Sequence, residues 1–167
     1  FLAGGVEDGE IGLLVACAGL PSDRVARAAG VDPPARIVPF RGEFFELVPE
    51  KRHLCRGRIS PVPDPSLPFL GPHVTPTVRG TVECGPNAVL AAAREGYAAT
   101  DVDARDLLET LLWPGFRRMA ARHWRSGCEE LVRSLSRERF VRACQRLVPE
   151  IQPAGLAPGA AGVRGQG

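Results

Sequence analysis

The run RISPVPDPSLPFLGPHVTP, residues 58–76, holds six prolines in nineteen residues. Proline fixes φ at about −65° and removes a backbone donor, so the run can be neither a helix nor an interior strand. It must be a pinned loop or an edge, and pinned loops on rigid scaffolds are where binding chemistry tends to sit. This one carries a single histidine, His73. On the residues alone His73 reads as incidental to an irregular connector, because most loop histidines have no chemical role.

Before the loop the pattern is mixed. EIGLLVACAGLPSDRVARAAGVDPP reads as strand, tight turn and short helix. The apolar run over 11–18 suits a strand covered on both faces, and Gly19 allows the exit. Ser22 or Asp23 caps a helix through Ala29, which Gly30 ends. ARIVPFRGEFFELVPE predicts a strand through Val48, bent near Pro39 and Gly42. After the loop, HVTPTVRGTVECGPN predicts a hairpin turning at Arg79-Gly80, so the middle of the chain should be antiparallel.

From Asp101 the period becomes helical. Asp103 caps a helix over 104–113 with Leu107, Leu108, Leu111 and Leu112 on its inner face. Pro114 opens a second helix to about residue 135, burying Phe116, Met119, Ala120, Trp124, Cys128, Leu131 and Leu135. Ser136 caps a third over 137–147, burying Phe140, Ala143, Cys144 and Leu147. The closing QPAGLAPGAAGVRGQG has no periodicity and is expected to form no packed element of its own.

Charge and cysteines narrow the function classes. The net charge is only +2, and the arginines alternate with acids instead of forming a block. A nucleic-acid partner is therefore not expected. Five cysteines at 17, 55, 84, 128 and 144 are odd in number and widely spaced, with no CxxC pair. That is neither a zinc pattern nor a disulfide framework, so no metal site is expected and all five read as small buried hydrophobes in a reducing compartment. No apolar run approaches the length of a membrane span. The start at Phe1 and the Gly/Ala/Pro-rich end read as those of a portion of a longer protein.

No GxGxxG, Walker loop, HExxH or GxSxG occurs in the chain. Collinear stretches carry the reading further: LLVACAGLPSDRVA, then PFRGEFFELVPEKRHLCRGRISPVPDPSLPFLGPHVTPTVRGTVECGPNAVLAAAREGY, then WPGFRRMAARHWRSGCEELVRSLSRERFVRACQRLVPEI and AGVRGQ. Together they resemble the L-2-hydroxyglutarate dehydrogenase/oxidase family, FAD-dependent enzymes of the D-amino-acid-oxidase-like superfamily.

The resemblance implies an α+β fold, part of a two-domain FAD-dependent oxidoreductase. Residues 1–34 would be a piece of the FAD-binding domain, and 35–100 an antiparallel substrate-domain sheet. Residues 101–150 would be its flanking helices, and 151–167 a return toward the FAD domain, flexible in isolation. The family's glycine-rich FAD motif is missing from this chain, so the chain alone is expected to hold FAD weakly and to be inactive. Cys17, Ala18 and Gly19 would run close to the cofactor. His73 becomes the candidate base, and Arg41, Arg164, Thr75 and Asn87 the candidate substrate-binding residues. Arg164 falls where related amino-acid oxidases carry a carboxylate-binding arginine. On the residues alone Arg41 could equally pair with Glu43, and Asn87 reads first as the cap of a following helix. The chain departs from the family pattern at Phe44 and Phe45, where tyrosines are usual, at Ser60, where an aromatic is usual, and at Pro72.

The implied reaction is oxidation of L-2-hydroxyglutarate to 2-oxoglutarate. A small dicarboxylate would be the substrate and oxygen or a quinone the electron acceptor. A cytoplasmic location follows, peripheral to the inner membrane if the acceptor is a quinone. Two alternatives stand beside this reading: a flavin-dependent oxidase of another 2-hydroxy or 2-amino acid, and a non-catalytic remnant that only binds.

Overall fold

The computed structural model describes residues 13–63 and 71–166. The proline loop between 64 and 70, and the first two residues of the strand expected over 11–18, lie outside the described residues. The fold is α+β: a five-stranded antiparallel sheet with helices packed on it.

The central strand is β1 (Val38–Leu47). Along its whole length it pairs with β5 (Leu156–Gln166), from Val38↔Gln166 to Leu47↔Leu156. A strand has two hydrogen-bonding edges, so the other edge is shared. There β3 (Val82–Gly85) pairs at Phe45↔Cys84 and β4 (Val89–Leu90) at Phe40↔Leu90. The hairpin partner β2 (His73–Pro76) completes the sheet beside β3, with its turn at Arg79-Gly80 as the sequence implies. Strand β5 corrects the composition argument for the tail. Glycine and alanine offer little to pack, but β1 supplies a ladder of backbone partners, and backbone hydrogen bonding needs no side chain. One extra residue on β5 bulges between the Glu43 and Phe45 pairings.

Three helices follow the hairpin. Helix α2 (Ala104–Leu112) is capped by Asp103, whose carboxylate accepts the Asp106 N–H at 2.9 Å. Its inner face is not the leucine face: Asp106 and Thr110 are buried while Leu108, Leu111 and Leu112 are exposed. Ion pairing reverses the pattern, because Asp106 must reach the buried Arg94 N–H (2.7 Å) and the Arg24 guanidinium. Helix α3 (Pro114–Leu135) begins on its proline and kinks at His123. It too departs from expectation, since Glu130 is its buried residue and Trp124, Cys128, Leu131 and Leu135 are exposed. Phe116, Met119 and Trp124 instead border an open apolar groove of about 320 Å³ against Phe40 and Leu90. Helix α4 (Arg137–Gln145), capped by Ser136, packs as predicted through Phe140 and Cys144, with Ala143 and Leu147 half-buried. The Phe140 and Phe45 rings stand 4.7 Å apart.

The core lies between α4 and one face of the sheet: Leu47, Cys55, Val74, Val82, Cys84, Phe140, Cys144, Ile151 and Leu156. Burying a side chain such as Phe140 contributes about 1.5–3 kcal/mol. Three cysteines are buried as expected; Cys17 and Cys128 are exposed.

The N-terminal stretch departs most. The run over 13–18 forms no strand, and Leu13, Leu14 and Val15 are exposed. An apolar strand of this kind needs partners on both sides, and the described residues offer none. Helix α1 (Ser22–Ala28) has Pro21 at its cap. Ser22 turns its hydroxyl to the Gly19 carbonyl (2.6 Å), and Asp23 is drawn into the interior by Arg94. Among the described residues no helix is long and apolar enough to cross a membrane.

Candidate functional site

Strand parity decides which side chains meet. Side chains alternate across a sheet, so Phe45 and Leu47, which sit in the core, put Arg41 and Glu43 on the helix-covered face. Gly42 and Phe44 occupy the opposite, outer face, as does Phe40 by parity, at the edge where α3 borders it. Arg164 pairs with Phe40 and Gly162 with Gly42, which places both on the outer face too. On β2, Val74 is fully buried in the core, so His73 and Thr75 also point outward. His73, Thr75, Phe44 and Arg164 thus share one face.

A cavity of about 170 Å³ opens there, bordered by Phe40, Phe44, Pro86, Asn87, Arg41 and Arg164. Its wall depends on Gly42: a Cβ at that position would lie 2.5 Å from Cβ of Pro86, so only glycine lets the 86–88 loop close on β1. Gly42→Ala is expected to destabilise by about 1–3 kcal/mol, read as a lower urea midpoint with unchanged slope. An unchanged midpoint would mean that the loop yields without cost.

The guanidinium of Arg41 is engaged elsewhere. It is buried, and its Nη2 donates to Glu43 Oε1 at 2.8 Å. The other Glu43 oxygen accepts from Asn87 Nδ2 (3.0 Å) and Ser134 Oγ (2.5 Å). Asn87 in turn accepts the Glu43 N–H at 2.8 Å. Asn87 therefore caps no helix; β4 follows it, and its side chain ties the loop to β1. Arg41 borders the cavity, but the Glu43 pairing weighed from the sequence is the contact its guanidinium makes.

The outer face at β2 carries enclosed polar atoms. His73 Nδ1 and Thr75 Oγ1 are buried with no hydrogen-bond partner among the described residues. Burial, then the positive charge of Arg58, pull the His73 pKa below the usual histidine value, and a hydrogen bond to the Gly71 carbonyl opposes them in part. His73 does not border the cavity itself. Its cross-strand partner Gly85 joins the two places, since a Cβ there would come within 3.2 Å of Phe44 Cδ1.

Cys17, Ala18 and Gly19 lie in the turn before α1, outside the cavity. Gly19 adopts φ +60°, and a Cβ there would meet nothing within 4 Å, so bare backbone faces open space. Arg94 Nη1 holds the Leu20 carbonyl at 2.6 Å. The Leu20 side chain would lie 3.5 Å from a Cβ at Gly165, beside Arg164.

A family model described as FAD-dependent oxidoreductase matches residues 2–166. The chain belongs to that family. Within it, the chain is 48% identical over 92% of its length to an L-2-hydroxyglutarate dehydrogenase of Indibacter alkaliphilus. It is 47% identical over 92% to a mitochondrial L-2-hydroxyglutarate dehydrogenase of Caenorhabditis elegans, and 43% identical over 94% to an L-2-hydroxyglutarate dehydrogenase of Escherichia coli K12. The chain spans 39%, 35% and 37% of the lengths of these three relatives. The match to the FAD-dependent oxidoreductase family takes in every residue of the cavity and of the His73 face. Two contributors escaped the sequence reading. Ser134 reaches Glu43 across 91 positions, for which no local signal exists. Phe44 was noted only as a departure, although alternation from Leu47 would have placed it outward.

Proposed function

We infer that the whole protein is a flavin-dependent dehydrogenase or oxidase converting L-2-hydroxyglutarate to 2-oxoglutarate, and that this chain supplies the wall that grips the substrate. Collinear likeness to proteins named L-2-hydroxyglutarate dehydrogenases over 92% of the chain carries this reading. The division into an FAD-domain piece over 1–34 and a substrate-domain sheet and helices over 35–150 belongs to the same proposal.

The residues present fit a flavin and an anionic substrate. Enclosed donors and acceptors without partners among the described residues, such as His73 Nδ1 and Thr75 Oγ1, are expected to meet a ligand. The Cys17–Gly19 turn would border the flavin with bare backbone. The nucleotide half needs a glycine-rich turn, which these 167 residues do not contain. When bound, the flavin supplies the acceptor for the hydride leaving the substrate Cα, and oxygen or a quinone then takes the electrons.

The chain's own side chains do the rest. Arg164, on the outer face, grips a carboxylate with a planar fork that lysine lacks. His73, kept neutral by burial and by Arg58, accepts the hydroxyl proton. Thr75 Oγ1 steadies the same hydroxyl. Arg41 and Asn87 act from behind, holding Glu43 and the 86–88 loop so that the cavity keeps its shape.

Anaerobic L-2-hydroxyglutarate, added to the flavin-loaded whole protein, is expected to bleach the visible flavin band and yield stoichiometric 2-oxoglutarate. L-lactate, glycine and glycerol 3-phosphate should bleach it far more slowly. Rapid bleaching by one of those three would move the substrate to another 2-hydroxy or 2-amino acid; bleaching by none of the four would sink the reading.

A further inference from the structure

We propose that Arg58 grips the distal carboxylate of the substrate and so selects a dicarboxylate over a monocarboxylate. The proposal rests on the functional reading just given. Ile59 forms an antiparallel bridge with Val74, closed by hydrogen bonds of 2.8 and 2.9 Å. Val74 is fully buried and Ile59 packs against the same core. Alternation then puts the flanking residues on the outer face, Ser60 opposite His73 and Arg58 opposite Thr75.

Arg58 is exposed, and its Nε donates to Ser60 Oγ at 3.0 Å, which lays the guanidinium along the His73 face. No described carboxylate forms an ion pair with it, although Glu83 stands on the same face beyond Thr75. The contrast with Arg41 is direct: Arg41 is neutralised by Glu43 on the other face, whereas among the described residues no carboxylate pairs with Arg58 on this one. The enclosed, unpartnered Thr75 Oγ1 and His73 Nδ1 lie beside it and mark the same place as one that a polar ligand completes. Position 60 is also where the resemblance places an aromatic side chain. The serine in this chain gives the arginine its hydrogen-bond partner.

The test is competitive inhibition of the flavin-loaded whole enzyme by glutarate, a dianion, and butyrate, a monoanion. Arg58→Gln is expected to weaken inhibition by glutarate about tenfold while butyrate stays within about twofold. Arg58→Lys should restore part of the loss, because the charge returns without the fork. Ser60→Ala, which frees the guanidinium, should move glutarate in the same direction by less. Equal shifts for both anions, or none for either, overturn the proposal. Arg164→Gln and His73→Ala separate the causes: if they cripple turnover while Arg58→Gln is silent, only the role of Arg58 falls. If all three are silent, the functional reading falls with it.

Discussion

Arg94→Met is expected to lower the unfolding free energy by about 3–5 kcal/mol, because it strands a buried carboxylate. Arg94 and Asp23 are among the most enclosed charges of the described residues, at 6% and 5% exposed. Nη1 of Arg94 donates to Oδ1 of Asp23 and Nη2 to Oδ2, and Nη1 also holds the Leu20 carbonyl. Methionine keeps the volume and removes every one of these donors, leaving Asp23 with Arg27 at 3.2 Å and the Ile37 N–H at 3.3 Å. The pH dependence identifies the cause. In the native protein burial pushes the Asp23 pKa up, but the Arg94 and Ile37 hydrogen bonds and the charges of Arg94 and Arg27 outweigh it, so the pKa lies below the usual carboxylate value. Stability from a depressed carboxyl is present above its unfolded pKa and is lost as pH falls through the folded one. Without Arg94, burial dominates, the carboxyl rises, and acid relieves the variant instead of harming it. Urea midpoints at about pH 7 and about pH 5 should therefore show a deficit that narrows on acidification. A deficit of equal size at both would show that lost packing, not a stranded charge, is responsible. The same substitution should loosen the Gly19–Leu20 turn, whose carbonyl Arg94 holds.

Local signals were legible where the chemistry is local. Asp103 and Ser136 cap their helices, Pro114 opens α3, and the Arg79-Gly80 turn joins β2 to β3, because each depends on neighbours within a few residues. What failed were arguments that infer burial from apolar spacing alone. On α2 the leucines faced out because Asp106 was needed inside by Arg24 and Arg94, partners 82 and 12 positions away. The tail became β5 because β1 offered it a ladder, a partner more than a hundred residues distant in sequence. The site shows the same division. The choice of Arg41 came from a motif, yet its neighbour two positions on, Glu43, lies on the same strand face and takes the guanidinium. That consequence of alternation could have been drawn from the sequence once a strand was expected there. Arg58 was out of reach, since only the Ile59–Val74 bridge across the proline loop brings it to His73.

His73→Ala is expected to lower kcat of the whole enzyme by about 10²–10⁴-fold, the usual worth of a positioned general base, while flavin content stays near one per chain. The imidazole leans away from the core on β2, and its Nδ1 has no hydrogen-bond partner among the described residues, so nothing in the described fold consumes the atom that a base needs. The charged groups on its face are Arg58, opposite Thr75, Glu83 on β3, Glu46 opposite Glu83 on β1, and, farther along the sheet, Arg164 on β5. Burial and Arg58 draw the pKa down, against a smaller upward pull from the Gly71 carbonyl, so the ring is neutral at physiological pH. A base must be unprotonated to act, which places the acid limb of kcat/KM below about pH 6.5, the ordinary histidine value. Arg58→Gln removes one of the two downward influences and should move that limb toward higher pH; a purely structural histidine would leave the limb where it was. Loss of flavin in parallel with turnover would make His73 a structural support for the cofactor. Full turnover in His73→Ala would return the histidine to the incidental status its proline-rich surroundings first suggest. The decisive combination is a slow, flavin-replete variant whose residual activity no longer shows the acid limb, because only a group that exchanges the substrate proton can abolish both together.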